Sequence, residues 1–253
     1  MIATVKPPLT LEQNFVRYEF KFFLDQRKRE EVESEIANFM TFDGHIHPEL
    51  SNAYFVRSLY FDNDVASYYY EKIDGIRKRR KFRIRTYGKS FEPGLPVYLE
   101  EKNRDGDRVH KHRIEIDPCH LPAICDPDQY YSLLKLLPKV NLVDRFLYDT
   151  IRRSLKPKVL VDYVRRPYVS SYDMNFRVTF DSVLMSAAAN VLFPPQWTNW
   201  RHSYAGFTIL EVKFFRRIPA WFHRIIQAHN LKRISFSKFC KSMEATELAT
   251  DLS

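Results

Sequence analysis

Cysteine is scarce in this sequence: Cys119, Cys125 and Cys240 are the whole complement of three, at unrelated spacings. An odd number without a repeat distance argues against a disulfide framework and against a cysteine zinc site. Long apolar runs are lacking too, with no stretch of about 18 apolar residues, so no spanning helix is expected. Met1–Thr10 holds one lysine and two prolines and has no apolar core of the kind a signal peptide needs. A cytoplasmic protein is the expectation. Acidic residues are the minority charge, 31 against 40 Lys and Arg, for a net charge of +9. That imbalance favours an anionic partner such as nucleic acid, a membrane surface or a polyphosphorylated molecule. The dense basic run Arg77–Lys81 leads straight into a strand pattern, which argues against a flexible basic tail. Repeats and low-complexity linkers are absent as well. With 253 residues, 45% hydrophobic and 15% aromatic, the chain can bury a large core. It reads as an N-terminal extension, 1–13, followed by a single domain, 14–253.

What the chain has instead is a recurring strand pattern with one charged face. In a strand, side chains two apart point the same way. Arg83, Arg85 and Tyr87 share a face, as do Glu100 with Lys102, and Lys111 with Arg113 and Glu115. Phe82, Ile84, Leu99, Ile114 and Ile116 take the opposite face. The turns at 93–96 and 105–107 join these segments as a meander. Any single strand of this kind is ordinary for a half-exposed sheet. Here the pattern returns in Arg17/Glu19/Lys21 against Tyr18/Phe20/Phe22, in Arg177/Thr179/Asp181 against Val178/Phe180, and in Glu211/Lys213 against Leu210/Val212/Phe214. Strands that close on one another with charged faces inward make a polar tunnel. Their apolar outer faces must then be covered, since apolar area left in water costs roughly 25 cal/mol per Å².

The helices needed for that cover can be read along the chain. Asp25 is placed to cap a helix whose stripe is Val32, Ile36, Phe39 and Met40, ending at Gly44. Further helices are predicted over 65–73, 129–137 and 143–155, the last stopped by Pro157, and from Pro219 onward and Lys241 onward. Strands are predicted over 14–24, 54–62, 158–168, 175–185 and 204–215, besides the meander. The fold class expected is α+β: a closed antiparallel β-barrel of about eight strands forming a polar tunnel, with helices on the outside.

A tunnel lined by Arg17, Lys21, Arg83, Arg85, Lys102, Lys111, Arg113, Arg165, Arg177 and Lys213 would be strongly repulsive if empty, because buried like charges are costly unless paired. The inward carboxylates look too few to pair them. Several anions in a line would suit such an interior, and guanidinium forks bind phosphate oxygens bidentately. An inward carboxylate, Glu211 first and Glu19 or Glu100 next, could then hold Mg²⁺ or Mn²⁺ against phosphate. Tyr60 and Tyr87 are candidates for a wall of the nucleotide or phosphate site.

The segments R-Y-E-F-K (Arg17–Lys21), S-L-Y-F-D (Ser58–Asp62), R-I-R-T-Y (Arg83–Tyr87), L-E-E-K (Leu99–Lys102), Y-V-R-R-P-Y (Tyr163–Tyr168), R-V-T-F-D (Arg177–Asp181), L-E-V-K (Leu210–Lys213) and S-K-F (Ser237–Phe239) occur in this order. Together they resemble the VTC domain, the polyphosphate polymerase domain of the vacuolar transporter chaperone, in its stand-alone bacterial form. That family sits among the triphosphate tunnel metalloenzymes beside the CYTH domains. The resemblance implies that Arg83, Arg85, Lys102, Arg165 and Lys213, with Lys21 beside them, grip a phosphate chain. It implies that Glu211 holds the metal, and that Lys111 and Lys238, the latter next to Ser237, contact phosphate near a tunnel end. The activity implied is transfer of the ATP γ-phosphoryl group to a growing polyphosphate chain. ATP and polyphosphate are then the partners, with Mn²⁺ or Mg²⁺ as cofactor, no nucleic acid, and any membrane partner unidentified. Arg17 stands where the hydrolases of this group begin a Glu-x-Glu-x-Lys motif, which favours phosphate binding over a second metal. Glu101, on the outer face, predicts a place where helical cover is incomplete.

Other polar residues read as structural. His45-x-His47 lies in a loop, His110 and His112 lie on the far face from Lys111, Cys240 has no His–Asp partner pattern, and Tyr68–Tyr70 suits helix packing better than base stacking. Arg57 has no evident direction. The rival readings are a triphosphatase or cyclase-like tunnel enzyme, and a module that binds polyphosphate or nucleic acid without chemistry.

Overall fold

The computed structural model describes residues 13–44, 47 and 49–251. The proposed N-terminal extension, except Gln13, and His45 of the His-x-His pair lie outside the described residues. Among the described residues, ten strands and seven α-helices follow in chain order. The strands are β1 (Gln13–Leu24), β2 (Met40–Phe42), β3 (Tyr54–Asp62), β4 (Lys78–Thr86), β5 (Val97–Asp105), β6 (Arg108–Ile116), β7 (Lys156–Ser170), β8 (Arg177–Ala188), β9 (Arg201–His202) and β10 (Thr208–Phe214). The helices are α1 (Gln26–Ile36), α2 (Ser67–Ile73), α3 (Leu121–Cys125), α4 (Tyr130–Leu136), α5 (Asn141–Arg153), α6 (Ala220–Ala228) and α7 (Lys238–Ala245).

Eight of the strands form a closed ring. The sheet runs β7-β3-β4-β5-β6-β1-β10-β8, and a β7–β8 ladder joins its ends. Every pairing is antiparallel. The short strands β2 and β9 attach outside the ring, to β7 and β8. Closure follows from the alternation: each strand has an apolar face that must leave water and a charged face that must keep polar company.

The outward faces are covered as the pattern requires. Phe82, Ile84, Leu99, Ile114 and Ile116 are buried in one cluster with Leu142, Val143, Phe146 and Leu147 of α5, Tyr130 and Leu133 of α4, and Phe239 and Met243 of α7. Phe22, Val178, Phe180, Leu210, Val212 and Phe214 are buried in a second cluster with Val32 and Ile36 of α1 and Phe222 and Ile225 of α6. The α5 stripe buries Val143, Leu147 and Thr150, while Ile151 stays exposed.

Several boundaries differ from the sequence reading. Helix α1 starts at the Asp25 cap, whose carboxylate accepts from the Lys28 N–H at 2.8 Å, but ends at Ile36 rather than near Gly44. Asn38 Nδ2 donates to the Ser34 and Glu35 carbonyls at 3.3 Å, and the Asn38 N–H also donates to the Glu35 carbonyl at 3.2 Å, so this residue closes that end. Met40 then reaches the core from β2, opposite Ser170 of β7. Pro157 does not stop α5. That helix ends at Arg153, Ser154 turns left-handed at φ 53°, and Pro157 lies within β7. It sits at the register shift against Phe61, where a residue without an N–H is tolerated. The final helix begins at Lys238, before Lys241, because Ser237 caps it. The expectation of incomplete cover at Glu101 is overturned. Glu101 does face outward, but it is fully buried, held by Arg145 of α5 at 2.7 Å with Arg80 at 3.8 Å. The covering helix is present at this place and itself supplies the countercharge. Arg57 also faces outward, in a buried pair with Asp162 at 2.7 Å.

Candidate active site: a charged tunnel

Inside the ring lies a cavity of about 580 Å³. Cross-strand register places its charges side by side. Arg83 of β4 stands opposite Glu100 of β5, which stands opposite Arg113 of β6. Lys81, Lys102 and Lys111 form the next row on the same three strands. Across the ring, Glu19 faces Lys213, Lys21 faces Glu211, and Arg165 lies between Asp181 and Tyr54.

Four carboxylates compensate most of these cations. Glu211 accepts from Lys238 at 2.7 Å and Arg165 at 3.2 Å, with Lys213 at 3.4 Å and Lys21 at 3.6 Å. Asp181 takes both prongs of Arg165 at 2.7 Å and Lys238 at 2.6 Å. Glu100 holds Arg83 at 2.6 Å, Lys111 at 2.5 Å and Arg85 at 3.8 Å. Glu19 holds Lys102 at 2.6 Å and Arg17 at 3.1 Å. The inward carboxylates are fewer than the cations, as expected, but sharing each among two or more cations makes the empty interior less repulsive than residue counting implied. Tyrosines fill the remaining wall. Tyr60 accepts from Arg83 at 2.6 Å, Tyr163 accepts from Arg85 at 3.2 Å, and the Lys238 ammonium lies 4.8 Å from the Tyr163 ring centre.

Burial and these neighbours set the protonation states. Burial alone would raise the Glu211 carboxyl, but Lys238, Lys21, Lys213 and Arg165 outweigh it and hold it well below the usual range. Glu19 and Glu100 behave likewise, through Lys102 with Arg17 and through Lys111 with Arg83. Burial pushes Lys21 down to about 8, against the pull of Glu211. It pushes Lys111 down to about 7, with Arg85 and Arg83 adding to the effect against Glu100, and Lys213 down to about 7, with Arg165 assisting. Lys238 goes the other way: Asp181 and Glu211 overcome burial and raise it. Tyr60 is lowered because Arg83 and Arg85 outweigh its burial.

The ring brings the sequence-predicted cations together: Arg17, Lys21, Arg83, Arg85, Lys102, Lys111, Arg113, Arg165, Arg177, Lys213 and Lys238 all line the cavity. Tyr60, Tyr87 and Ser237 line it as well. Arg177 is half exposed near Asp43, at 3.7 Å, and Arg113 lies over Tyr98 at 4.8 Å. Ser237 Oγ is occupied in part as the α7 cap, accepting from the Cys240 N–H at 3.3 Å. Glu19 and Glu211 reach the cavity, whereas Glu100 lies fully buried behind Arg83 and Lys111. Tyr68 and Tyr69 pack away from the tunnel, with hydroxyls on Asp149 and Glu244. Sequence reasoning did not single out Asp181 as a countercharge, nor Tyr163 or Lys81 as wall residues. Each shares strand parity with a residue that was found, so alternation alone could have placed all three.

No group of three His, Cys, Asp or Glu side chains arranged to hold a metal occurs among the described residues. Mg²⁺ and Mn²⁺ at phosphate sites commonly use one or two carboxylates and complete their shell with phosphate oxygens and water. Glu211, ionised and at the cavity surface, fits that kind of site, whereas a protein-only cage is not built here.

Ring, tunnel and helical cover define a tunnel-type α+β fold, and comparison with known proteins agrees. The VTC domain family model matches residues 16–247, and the chain belongs to this family. It is 22% identical over 275 residues to subunit 4 of the vacuolar transporter chaperone complex of Schizosaccharomyces pombe, covering 90% of this chain and 37% of that protein. The chain thus spans little more than a third of its curated relative. Two solved structures share the fold at 13% identity. One is a Bacillus halodurans protein assigned as an adenylate cyclase, with TM-score 0.53 over 88% of this chain and 95% of that one. The other is a Hippeastrum protein assigned as an adenylyl cyclase in which triphosphatase activity dominates, with TM-score 0.54 over 93% and 97%.

Proposed function

We propose that this protein is an ATP-dependent polyphosphate polymerase that moves the γ-phosphoryl group of ATP onto a phosphate chain held in the tunnel. The observation that carries this reading is a closed ring whose interior sets at least ten inward cations against four carboxylates, within a VTC-family chain. In the transfer, a terminal chain oxygen bonds to the γ-phosphorus, the bridge between β- and γ-phosphates breaks, and ADP leaves with the bridging oxygen. Such a reaction needs mainly alignment and charge neutralisation. Arg83, Arg85, Lys102, Arg165 and Lys213, with Lys21, supply both from opposite walls. Lys111, Arg113, Arg17, Arg177 and Lys238 extend the grip, with Ser237 beside Lys238 and Tyr60 and Tyr87 forming part of the wall. Burial weakens water as a competitor and strengthens each charge-assisted bond. Glu211, with Glu19 the next candidate, would hold the Mn²⁺ or Mg²⁺, which when bound supplies further neutralisation of phosphate charge. Glu100, fully buried behind Arg83 and Lys111 and away from the cavity surface, serves to set those cations instead.

The test is incubation with ATP and Mn²⁺, with products resolved on a gel stained for polyphosphate. A ladder that disappears in Glu211→Gln is expected. Full activity in Glu211→Gln would remove the metal role, and orthophosphate without a ladder would turn the reading to a triphosphatase. That second reading has one support of its own, the fold shared with the Hippeastrum protein.

A further inference from the structure

The three lysines Lys81, Lys102 and Lys111 stand directly opposite one another on β4, β5 and β6, an arrangement that is destabilising without countercharge. Two of them have it: Lys102 is held by Glu19 at 2.6 Å and Lys111 by Glu100 at 2.5 Å. Lys81 differs. Its ammonium donates to Cys240 Sγ at 3.4 Å and lies 4.1 Å from the Phe239 ring centre. Among the described residues no carboxylate comes within salt-bridge reach of it. A thiol and a ring are weak substitutes for an anion, yet this side chain lines the cavity. It is two residues from Arg83 on the same face of β4, about 7 Å along the strand. Arg79, two residues further, and Arg104 across the β4–β5 pair, at the tunnel end where both strands meet their turns, also line the cavity.

We propose that Lys81 is a binding residue for the part of a phosphate chain that runs beyond a triphosphate, on a basic track from Arg83 past Lys81 toward Arg79 and Arg104. The inference rests on the tunnel holding phosphate, and assigns within it a residue that distinguishes a long chain from a short one. A triphosphate gripped by Arg83, Arg85 and Arg165 leaves Lys81 on its thiol. A longer chain continuing along β4 gives the ammonium its missing anion.

Binding of tripolyphosphate and of long-chain polyphosphate is measured by calorimetry, without ATP, for the wild type, Lys81→Met and Lys81→Arg. Without its charge-assisted hydrogen bond to phosphate, Lys81→Met should weaken long-chain binding by about tenfold more than tripolyphosphate binding. Lys81→Arg should stay near wild type. Equal weakening for both ligands, or none, would overturn the assignment while leaving the tunnel reading intact. Failure of the wild type to bind either ligand would overturn both. Should Lys81→Met not fold, the native protein answers the same question through acetylation of its lysines, mapped by mass spectrometry. Long-chain polyphosphate should protect Lys81 where tripolyphosphate does not, and protection by neither or equal protection by both counts against the assignment.

Discussion

Glu211 is the residue on which the most charge depends. Four cations lie within 3.6 Å of its carboxylate. Among the described residues, replacing it with glutamine leaves Lys21 and Lys213 without a carboxylate and Arg165 and Lys238 on Asp181 alone, and breaking a buried pair in this way costs about 3 kcal/mol or more. Glu211→Gln should therefore melt lower than the wild type in chloride buffer, and tripolyphosphate should restore much of the loss. A variant as stable as the wild type without added anion would contradict this charge balance. Lys111 gives the pH dependence. Its folded pKa is about 7, below the ordinary lysine value, because the charged form is penalised by burial and by Arg85 and Arg83. The unfolded chain thus holds more protons between about 7 and 10.4. The penalty is complete below pH 7 and is relieved as pH rises through that window, so this group makes the empty protein more stable with rising pH. An entering phosphate favours the protonated form, and tripolyphosphate binding at pH 8 should take up protons. Calorimetry in buffers of different ionisation enthalpy reads that uptake; proton release would have the wrong sign.

At the scale of elements, α7 does two jobs, closing the outer core through Phe239 and Met243 and aiming Lys238 at Asp181 and Glu211. Its Ser237 cap is the hinge between them. Ser237→Ala should cost about 1 kcal/mol of stability. Ser237→Asp should keep the cap and its stability while repelling phosphate. If Ser237→Asp binds tripolyphosphate as well as the wild type, Ser237 has no place beside the anion. On the opposite side of the wall, Arg145→Ala removes the closer partner of buried Glu101 and should cost about 2 kcal/mol in urea unfolding, with tripolyphosphate affinity unchanged. The strands were legible in the sequence because their period of two survives burial: Arg83/Arg85, Glu211/Lys213 and Arg177/Thr179/Asp181 all point inward as read. Helix ends were less legible. Met40 continues the α1 stripe in spacing yet belongs to β2, since pairing with Ser170 of β7 is a tertiary contact that periodicity cannot contain. Pro157 has the sequence signature of a stop and is a strand residue, because the bulge beside it, where Lys158 of β7 has no partner opposite, forms only in the pairing with β3.

For the whole molecule, a net charge of +9 suggested an anionic partner, and ring closure concentrates part of that charge in a cavity of about 580 Å³. Inward direction, fold class and the main cations were all legible from alternation and motif order. The sharing of carboxylates was not, because it depends on which strands meet: Glu211 and Asp181 reach Lys238 only through the β8–β10 pairing and the placement of α7. Lys81 was hidden for a related reason, as its lack of a carboxylate shows only once Glu19 and Glu100 are seen to serve Lys102 and Lys111. Under the proposed function the tunnel passes phosphoryl groups from ATP to a chain rather than to water. The most direct measurement follows ATP labelled at the γ-phosphate, comparing the ADP formed with the label recovered in polymer and in orthophosphate. A polymerase puts label into polymer in step with ADP, with little released as orthophosphate. Label recovered as orthophosphate in step with ADP, and none in polymer, would contradict it.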